Sequence, residues 1–178
     1  MRFSLRTAVS PDRSFLENLV ERSATVLQKD FYSKQQIQAA LGPVFGVDEQ
    51  MIVDGTYFVA ESHDRIVGCG GWSYREALYG GRKTGGDVPR SLDPEEESAR
   101  VHAFFVDPNF ARQGVGSAIM RACEKSIQLS GFKSAEISAT LTGEALYRSF
   151  GFTSIERYLI PLKGAPSKQV VKMVKTYT

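Results

Sequence analysis

Apolar residues recur at helical spacing in four stretches of the chain. The first stretch follows Ser10-Pro11-Asp12, which supplies a cap, a proline at the first helical position and an early acid, and it predicts a helix over 12–29. A shorter helix is expected after the cap Ser33, and Gly42-Pro43 ends it. Two later helices are predicted over 114–129 and 142–150.

Other stretches alternate between apolar and polar residues or form short apolar runs, and these predict strands. Residues 2–6 alternate as a half-buried strand does. The runs 57–61 and 66–74 flank His63-Asp64-Arg65 and predict an antiparallel hairpin. Further strands are predicted over 100–106, 134–139, 153–162 and 169–176. This order of elements contains no repeat and predicts an α/β (α+β) fold, a mixed sheet with helices on both faces.

The segment from Arg75 to about Ala99 differs in composition from the elements around it. It contains paired glycines at 80/81 and 85/86, prolines at 89 and 94, and three consecutive glutamates. A connection of this length without its own core is usually either functional or mobile. We therefore expect it to border a binding site.

Composition and charge exclude several classes of protein. A length of 178 residues with 42% apolar residues suits one domain, 1–178. The formal net charge of +2 argues against nucleic acid as a partner. No run reaches ~18 apolar residues and the N-terminus lacks the core of a signal peptide, so we expect no membrane span and a cytoplasmic protein. Cys69 and Cys123 are too few for a disulfide framework and are expected to be buried.

The segment from Val101 to Ser117 combines an apolar strand, a glycine turn and the start of a helix. The strand ends at Asp107-Pro108-Asn109, and Arg112-Gln113-Gly114-Val115-Gly116-Ser117 opens the helix. Glycine allows a phosphate to approach the backbone, and the first amides of a helix have no intrahelical partner. The helix dipole adds ~0.3 to 2 kcal/mol for an anion at this end. The segment therefore predicts a phosphate-binding site.

Two common phosphate-binding motifs do not match this spacing. A nucleotide-triphosphate loop places four residues between its glycines and then Lys-Ser/Thr, whereas one residue separates Gly114 from Gly116. A dinucleotide fingerprint needs a third glycine where Ile119 stands. A glycine turn that serves packing alone stays an alternative at this point.

The stretch from Phe104 to Ser117 resembles the cofactor motif of the GNAT superfamily of N-acetyltransferases. That motif is written Arg/Gln-x-x-Gly-x-Gly/Ala after a strand ending in Val-x-Pro. Val106-Asp107-Pro108 matches the strand end, Gly114 and Gly116 match the glycines, and Ala111 stands at the first position. The resemblance implies a GNAT-like mixed, mostly antiparallel sheet of about seven strands, and acetyl-CoA as cosubstrate.

The same resemblance implies how the cosubstrate is held. Backbone groups of Phe104 and Val106 would pair with the pantetheine arm as with an added strand, and the amides of 112–117 would hold the pyrophosphate. Arg112 and Gln113 are the side chains available to replace the missing contact at Ala111. The implied cofactor-binding residues are Phe104, Phe105, Val106, Arg112, Gln113, Gly114, Val115, Gly116 and Ser117.

The stretch from Ala145 to Phe152 also resembles the superfamily, whose corresponding helix ends in Tyr-x-x-x-Gly-Phe. Gly151 suits the left-handed residue that ends a helix, and Tyr147 takes the position of the tyrosine. The resemblance implies that Tyr147 is the general acid, which hydrogen-bonds the thioester sulfur and protonates the leaving thiolate. Full proton transfer from a phenol of pKa ~10 to a thiolate of pKa ~8.5 is uphill by about 2 kcal/mol, which favours partial donation in the transition state.

Direct attack on a thioester requires a neutral amine, and hence a base. Deprotonating a lysine-like amine at pH 7 costs roughly 4 to 5 kcal/mol. The candidate bases are His102 and Glu97, with Glu96 and Glu144 as further acids near the predicted strand ends. The sequence contains two histidines and two cysteines without the spacing of metal ligands, so no metal site is expected. It also shows no elbow motif for a covalent nucleophile, so we expect a ternary complex.

The acceptor is predicted to be the primary amine of a small molecule or a peptide. Its site should be bounded by the first two helices and the 75–99 loop, and a homodimer is compatible with this interpretation. Two other functions stay open: a sensor or interaction module that binds acyl-CoA without turnover, and a transferase for a longer acyl group. The aromatic residues available to line the acceptor site are Phe31, Tyr32, Phe45, Trp72, Tyr74 and Tyr79.

Overall fold

Seven strands form one sheet in a computed structural model that describes residues 3–76 and 87–178. The strands are β1 (Ser4–Thr7), β2 (Tyr57–Ser62), β3 (Arg65–Ser73), β4 (Ala99–Val106), β5 (Ser134–Thr140), β6 (Thr153–Leu162) and β7 (Ala165–Thr176). Their order across the sheet is β1-β2-β3-β4-β5-β7-β6. Only β4 and β5 pair in parallel, so the predicted mixed, mostly antiparallel sheet is confirmed.

The described residues include five α-helices, and the four that the sequence predicts begin and end within a few residues of the expected positions. Ser33 caps the second helix as predicted, in a capping box with Gln36. The third helix has five residues and was not predicted; it starts at the cap Asp48, which accepts from the amides of Gln50 and Met51. The helices are α1 (Arg13–Leu27), α2 (Lys34–Ala40), α3 (Glu49–Val53), α4 (Val115–Leu129) and α5 (Glu144–Ser149).

Two apolar clusters cover the two faces of the sheet. On the first face, α1, α2 and α3 contribute buried residues such as Leu16, Ile37 and Met51. On the second face, α4 buries Ile119 and Cys123 against the sheet together with residues of α5. The prediction of helices on both faces is therefore confirmed, and both cysteines are buried free thiols.

The parallel pair at the centre of the sheet is very short. Ala99 pairs with Ala135 and Arg100 pairs with Glu136, and the two strands then diverge. Ala103 adds a local distortion, since its φ of 63° is left-handed and the register between β3 and β4 shifts nearby. The divergence opens the middle of the sheet between β4 and β5.

The described residues contain neither a membrane-spanning helix nor a metal-binding cluster. None of the helices in 3–76 and 87–178 has the length and apolar character to cross a bilayer. In the same ranges, no three His, Cys, Asp or Glu side chains lie together as metal ligands would.

Candidate active site

A cleft of about 670 Å³ opens where β4 and β5 diverge, and we call it the cofactor cleft. Its walls come from the end of β4, the start of α4, the C-terminal part of α1 and the segment around α5. Of the predicted cofactor-binding residues, the structure brings into this cleft Phe104, Phe105, Val106, Arg112, Gly114, Val115, Gly116 and Ser117.

The backbone at the start of α4 has the shape of an anion site. Gly114 is the cap residue with a left-handed φ of 85°, and Arg112 is also left-handed with a φ of 62°. The first helical bond runs from the amide of Ala118 to the carbonyl of Gly114, at 2.9 Å, so the amides of residues 115–117 have no partner within the helix. A side-chain carbon added at Gly114 would meet open space, which is the space an approaching phosphate needs.

Gln113 lies outside this arrangement. Its side-chain amide donates to the carbonyl of Asn109 at 2.9 Å, and the residue does not line the cleft. Ala111 and Arg112 do line it, so of the two side chains expected to replace the missing motif contact only Arg112 is in position.

Four hydroxyl residues in the cleft were not predicted, and two of them, Ser23 and Thr142, bear on how a ligand is held. The Ser23 hydroxyl on α1 accepts from the amide of Val106 at 3.1 Å, so this amide already has a protein partner and is not free for the pairing expected with a pantetheine arm. The Thr142 hydroxyl is buried and lacks a hydrogen-bond partner among the described residues. Both hydroxyls can still donate into the cleft.

A second and much smaller cavity of about 60 Å³, the inner pocket, lies beside the cleft on the first face of the sheet. It has room for roughly four to six waters. The two cavities meet at residues that line both of them, and we call this set the junction: Gln28, Phe104, Phe105, Thr140 and Tyr147. A molecule in the cleft and one in the inner pocket would therefore touch at the junction.

Tyr147 is the one residue of the junction with a phenol. Its ring packs edge-on against Phe104, with centroids 5.7 Å apart, and against Phe152 at 6.1 Å. The residue is 5% exposed, and this burial raises the pKa of the phenol well above its usual value. Tyr147 therefore stays protonated at neutral pH, and its hydroxyl can donate a hydrogen bond.

His102 also lines the inner pocket. Its Nε2 is buried without a hydrogen-bond partner among the described residues and lies 3.9 Å from Oδ2 of the buried Asp48. Burial lowers the pKa of His102, and the charge of Asp48 opposes this effect. The imidazole is thus held neutral beside a carboxylate, which is the state that can accept a proton.

Glu97, the other predicted base, lies apart from both cavities. Arg90 binds its carboxylate through two hydrogen bonds of 2.7 and 2.9 Å, and these bonds lower the pKa of Glu97 to about 2. Glu144 is likewise engaged, by Arg148 and Arg157. The structure therefore brings only His102 to the pocket among these candidates.

Lys168 lies fully buried behind the inner pocket and was not singled out in the sequence. Its ammonium nitrogen is 2.9 Å from the centroid of the Tyr32 ring and 4.7 Å from that of Phe45, and it donates to Gln28 Oε1 at 3.1 Å. No carboxylate of the described residues forms an ion pair with it. Burial lowers the pKa of Lys168 to about 7.

The aromatic residues predicted for the acceptor site divide between several places. Phe45 lines the inner pocket, Tyr32 lies behind it and Phe31 is exposed. Trp72 and Tyr74 belong to the second face of the sheet, with Trp72 packed on Phe132. Tyr79 and residues 77–86 of the predicted loop lie outside the described residues.

Comparisons with solved structures agree with this geometry. The fold is similar to a GCN5-related N-acetyltransferase from Rhodopseudomonas palustris, with a TM-score of 0.71, 18% identity and coverage of 99% of this chain and 96% of that one. It is also similar to the PaiA N-acetyltransferase of Thermoplasma acidophilum in complex with coenzyme A, with a TM-score of 0.67, 12% identity and coverage of 99% and 100%. YncA of Salmonella typhimurium, a protein solved with acetyl-CoA, has a TM-score of 0.65, 13% identity and coverage of 100% and 95%. These likenesses show the fold.

The family is shown by the sequence itself. No curated relative matches the chain at the level of sequence. A family model for the GNAT acetyltransferase domain, however, matches residues 53–154, which run from the end of α3 to the start of β6 and include the cofactor cleft's glycine turn and Tyr147. The chain therefore belongs to the GNAT acetyltransferase family.

Proposed function

We propose that the chain transfers an acetyl group from acetyl-CoA to a primary amine, by direct attack in a ternary complex. The observation that carries this proposal is the junction: the cofactor cleft and the inner pocket meet at Tyr147, and His102 also lines the inner pocket. A thioester at the end of the cleft and an amine in the pocket would be in contact there. Such positioning lowers the barrier because the reactants no longer have to meet in solution.

Different groups of the cleft would bind different parts of acetyl-CoA. The free amides at the start of α4 would hold the pyrophosphate, with Arg112 as an added charge. The hydroxyls of Ser23 and Thr142 and the backbone of Phe104 would hydrogen-bond the pantetheine arm. Support comes from Thr142, because a buried hydroxyl without a partner costs about 1 to 3 kcal/mol unless a ligand satisfies it.

In the transfer step, the amine nitrogen forms a bond to the acetyl carbon, and the bond from that carbon to sulfur breaks. His102 takes the proton that the amine loses, and the nearby charge of Asp48 stabilises the resulting imidazolium. Tyr147 donates a hydrogen bond to the departing sulfur, which leaves as the thiolate of coenzyme A and takes up a proton from solvent to become the thiol, while the imidazolium of His102 returns its proton to solvent. Because burial raises the pKa of Tyr147, stabilisation of the thiolate by a hydrogen bond is favoured over complete transfer of the phenol proton.

Two alternatives make different predictions. A sensor module would bind the cosubstrate without turnover, but the pairing of a buried neutral histidine with a phenol across one small pocket favours catalysis. A transferase for longer acyl groups would need space beyond the thioester. In a ternary complex the acceptor amine occupies the inner pocket of about 60 Å³, and the space left beside it favours an acetyl group.

A panel of primary amines with acetyl-CoA as donor tests the proposal, with release of free thiol as the readout. We expect thiol release with at least one amine and slower release with a longer acyl donor. Binding of coenzyme A without thiol release from any amine would instead support the sensor. Faster release with the longer donor would support the second alternative. A cytoplasmic location and the homodimer remain predictions.

A further inference from the structure

A third cavity of about 350 Å³, the outer pocket, lies on the same face of the sheet as the inner pocket. Ile137 and Ser138 line both pockets, so the two are contiguous. Arg100 lies two residues before His102 on β4, and Glu136 lies two residues before Ser138 on β5. Since side chains two residues apart leave a strand on the same face, the outer pocket continues the path that begins at the junction.

The floor of the outer pocket carries an excess of positive charge. Both oxygens of Glu136 are occupied, Oε1 by Arg100 and Oε2 by Lys172 at 3.6 Å. Two cations therefore share one carboxylate at a site where the Glu136 side chain is only 12% exposed. Arg100 Nε is buried and lacks a hydrogen-bond partner among the described residues. The floor can thus accept one further anionic group.

The rest of the lining is compatible with this ligand. Tyr158 and Ser138 share a hydrogen bond at the wall of the pocket. Glu156 also lines the pocket, opposite Lys172 on the neighbouring strand. Both side chains reach water, which screens their charges more than those of Arg100 and Glu136. Arginine is well suited to the role because its planar donors match a carboxylate.

We propose that the outer pocket binds a carboxylate of the amine acceptor, through Arg100 and Lys172, and so selects acceptors that carry an acid at a set distance from the amine. This inference rests on the proposed function. On β5, Ser138 lies two residues from Thr140 at the junction and Glu136 lies four residues from it. At the rise of a β-strand these separations correspond to about 7 and 13 Å, which is the expected distance between the amine and the acid of the acceptor. The narrow inner pocket between the two ends requires an unbranched linker.

The test compares three unbranched probes of one length: 8-aminooctanoic acid, its uncharged amide and 1,8-diaminooctane. We expect the KM of the acid to be about tenfold below that of the amide, the effect of one charge-assisted hydrogen-bonded contact, and the diamine to be the poorest acceptor. Equal KM values for acid and amide, or a preference for the diamine, would overturn the proposal.

Variants then assign the preference to residues. Lys172→Met should raise the KM of the acid about threefold to tenfold and leave the KM of the amide and of acetyl-CoA unchanged. The matched control is Lys175→Met, on the same strand, whose lysine binds Glu124 and does not line the pocket. Arg100→Gln should abolish the preference for the acid over the amide, and Arg100→Lys should restore part of it. The comparison separates binding of the carboxylate from the structural role of Arg100, which pairs with Glu136 between β4 and β5. An unchanged acid-to-amide ratio in both Lys172→Met and Arg100→Gln would contradict the assignment.

Calorimetry can measure how 8-aminooctanoic acid binds to the protein in the presence of coenzyme A. This measurement distinguishes a wrong assignment of the outer pocket from a wrong proposed function. Binding of the acid, weakened by Lys172→Met, supports the outer pocket even if no amine releases thiol. Turnover of other amines without a preference for the acid retains the proposed function and rejects the outer pocket. If the acid neither binds nor reacts, the proposal is wrong.

Discussion

The cofactor cleft and the inner pocket share five residues but offer a ligand very different surroundings. The cleft of about 670 Å³ presents helix amides and hydroxyls, and we expect its shape to determine the affinity for the cosubstrate more than any one side chain does. The pocket of about 60 Å³ presents single buried side chains, His102 and Tyr147, whose protonation is set by burial. Changes in the cleft should therefore alter affinity for the cosubstrate, and changes in the pocket should alter the rate.

The largest effect is expected from His102→Gln, which removes the proposed base and leaves the cleft intact. We expect kcat/KM to fall about 100-fold or more, with the affinity for coenzyme A unchanged. Because burial lowers the pKa of His102, the wild-type rate should fall only as pH drops through a value below the usual ~6.5. The variant should lack this fall.

These rates are measured with a weakly basic amine that stays neutral over the whole range, so that only the enzyme titrates. The control is His63→Asn at the exposed left-handed turn, which should keep the wild-type profile. An unchanged pH profile in His102→Gln would show that another group is the base.

Tyr147→Phe acts at the junction itself. The variant keeps the ring packing on Phe104 and Phe152 and loses only the hydroxyl, so we expect turnover to fall tenfold or more while cofactor affinity changes little. Thiol release and calorimetry measure the two quantities. The matched control is Tyr177→Phe, whose hydroxyl is also buried but lies outside both cavities. Equal turnover in Tyr147→Phe and wild type would exclude the tyrosine as the acid.

Gly116→Val tests the cleft alone. A side-chain carbon at this position would lie 3.3 Å from Leu146 and 3.9 Å from Val106, so the added branch narrows the cleft beside the free amides. We expect affinity for coenzyme A to fall by about tenfold, with a smaller change in kcat. Gln128→Val on the exposed side of α4 is the control for a valine in this helix outside the cleft. Unchanged affinity in Gly116→Val would place the pyrophosphate elsewhere.

The smallest effect on catalysis is expected at the buried amine behind the pocket, where a substitution should alter stability instead. The pKa of Lys168 is lowered to about 7 in the folded protein against ~10.4 in the unfolded chain, so between these values the unfolded chain binds one more proton. The free energy of unfolding should consequently rise with pH from 7 towards 10. Lys168→Met should lose this rise, and Lys163→Met at an exposed site should keep it. Denaturant unfolding at pH 7, 8 and 9 measures both, and equal slopes in the two variants would contradict the lowered pKa.

The cofactor cleft and the inner pocket also differ in how much of each could be predicted from the sequence. The cleft residues 104–117 are contiguous, and a strand, a turn and a helix start are local patterns, so their arrangement could be predicted. Tyr147 was found through a second local motif. The same locality explains the confirmed helices and strands, whose caps and periodicity lie within a few residues.

The inner pocket depends on residues that only packing brings together. Asp48 was missed because its helix α3 has five residues and too little periodicity to recognise. Gln28, the residue that follows α1, lines the pocket beside β4, and Ser23 on α1 bonds Val106 of β4 in the adjoining cleft. Both pairs are about 80 positions apart in sequence, for which no local pattern exists. The Gln113 side chain was expected in the cleft by its place in the motif, yet its bond to Asn109 turns it away.

The pairing of β4 with β5 covers only two residues and joins a four-stranded part of the sheet to a three-stranded part. Beyond these two residues the strands diverge, and a pantetheine arm bound between them would add hydrogen bonds that link the two parts. A ligand in the cleft would therefore stabilise the fold. The free energy of unfolding would rise with the concentration [L] of coenzyme A, by RT ln(1 + [L]/Kd).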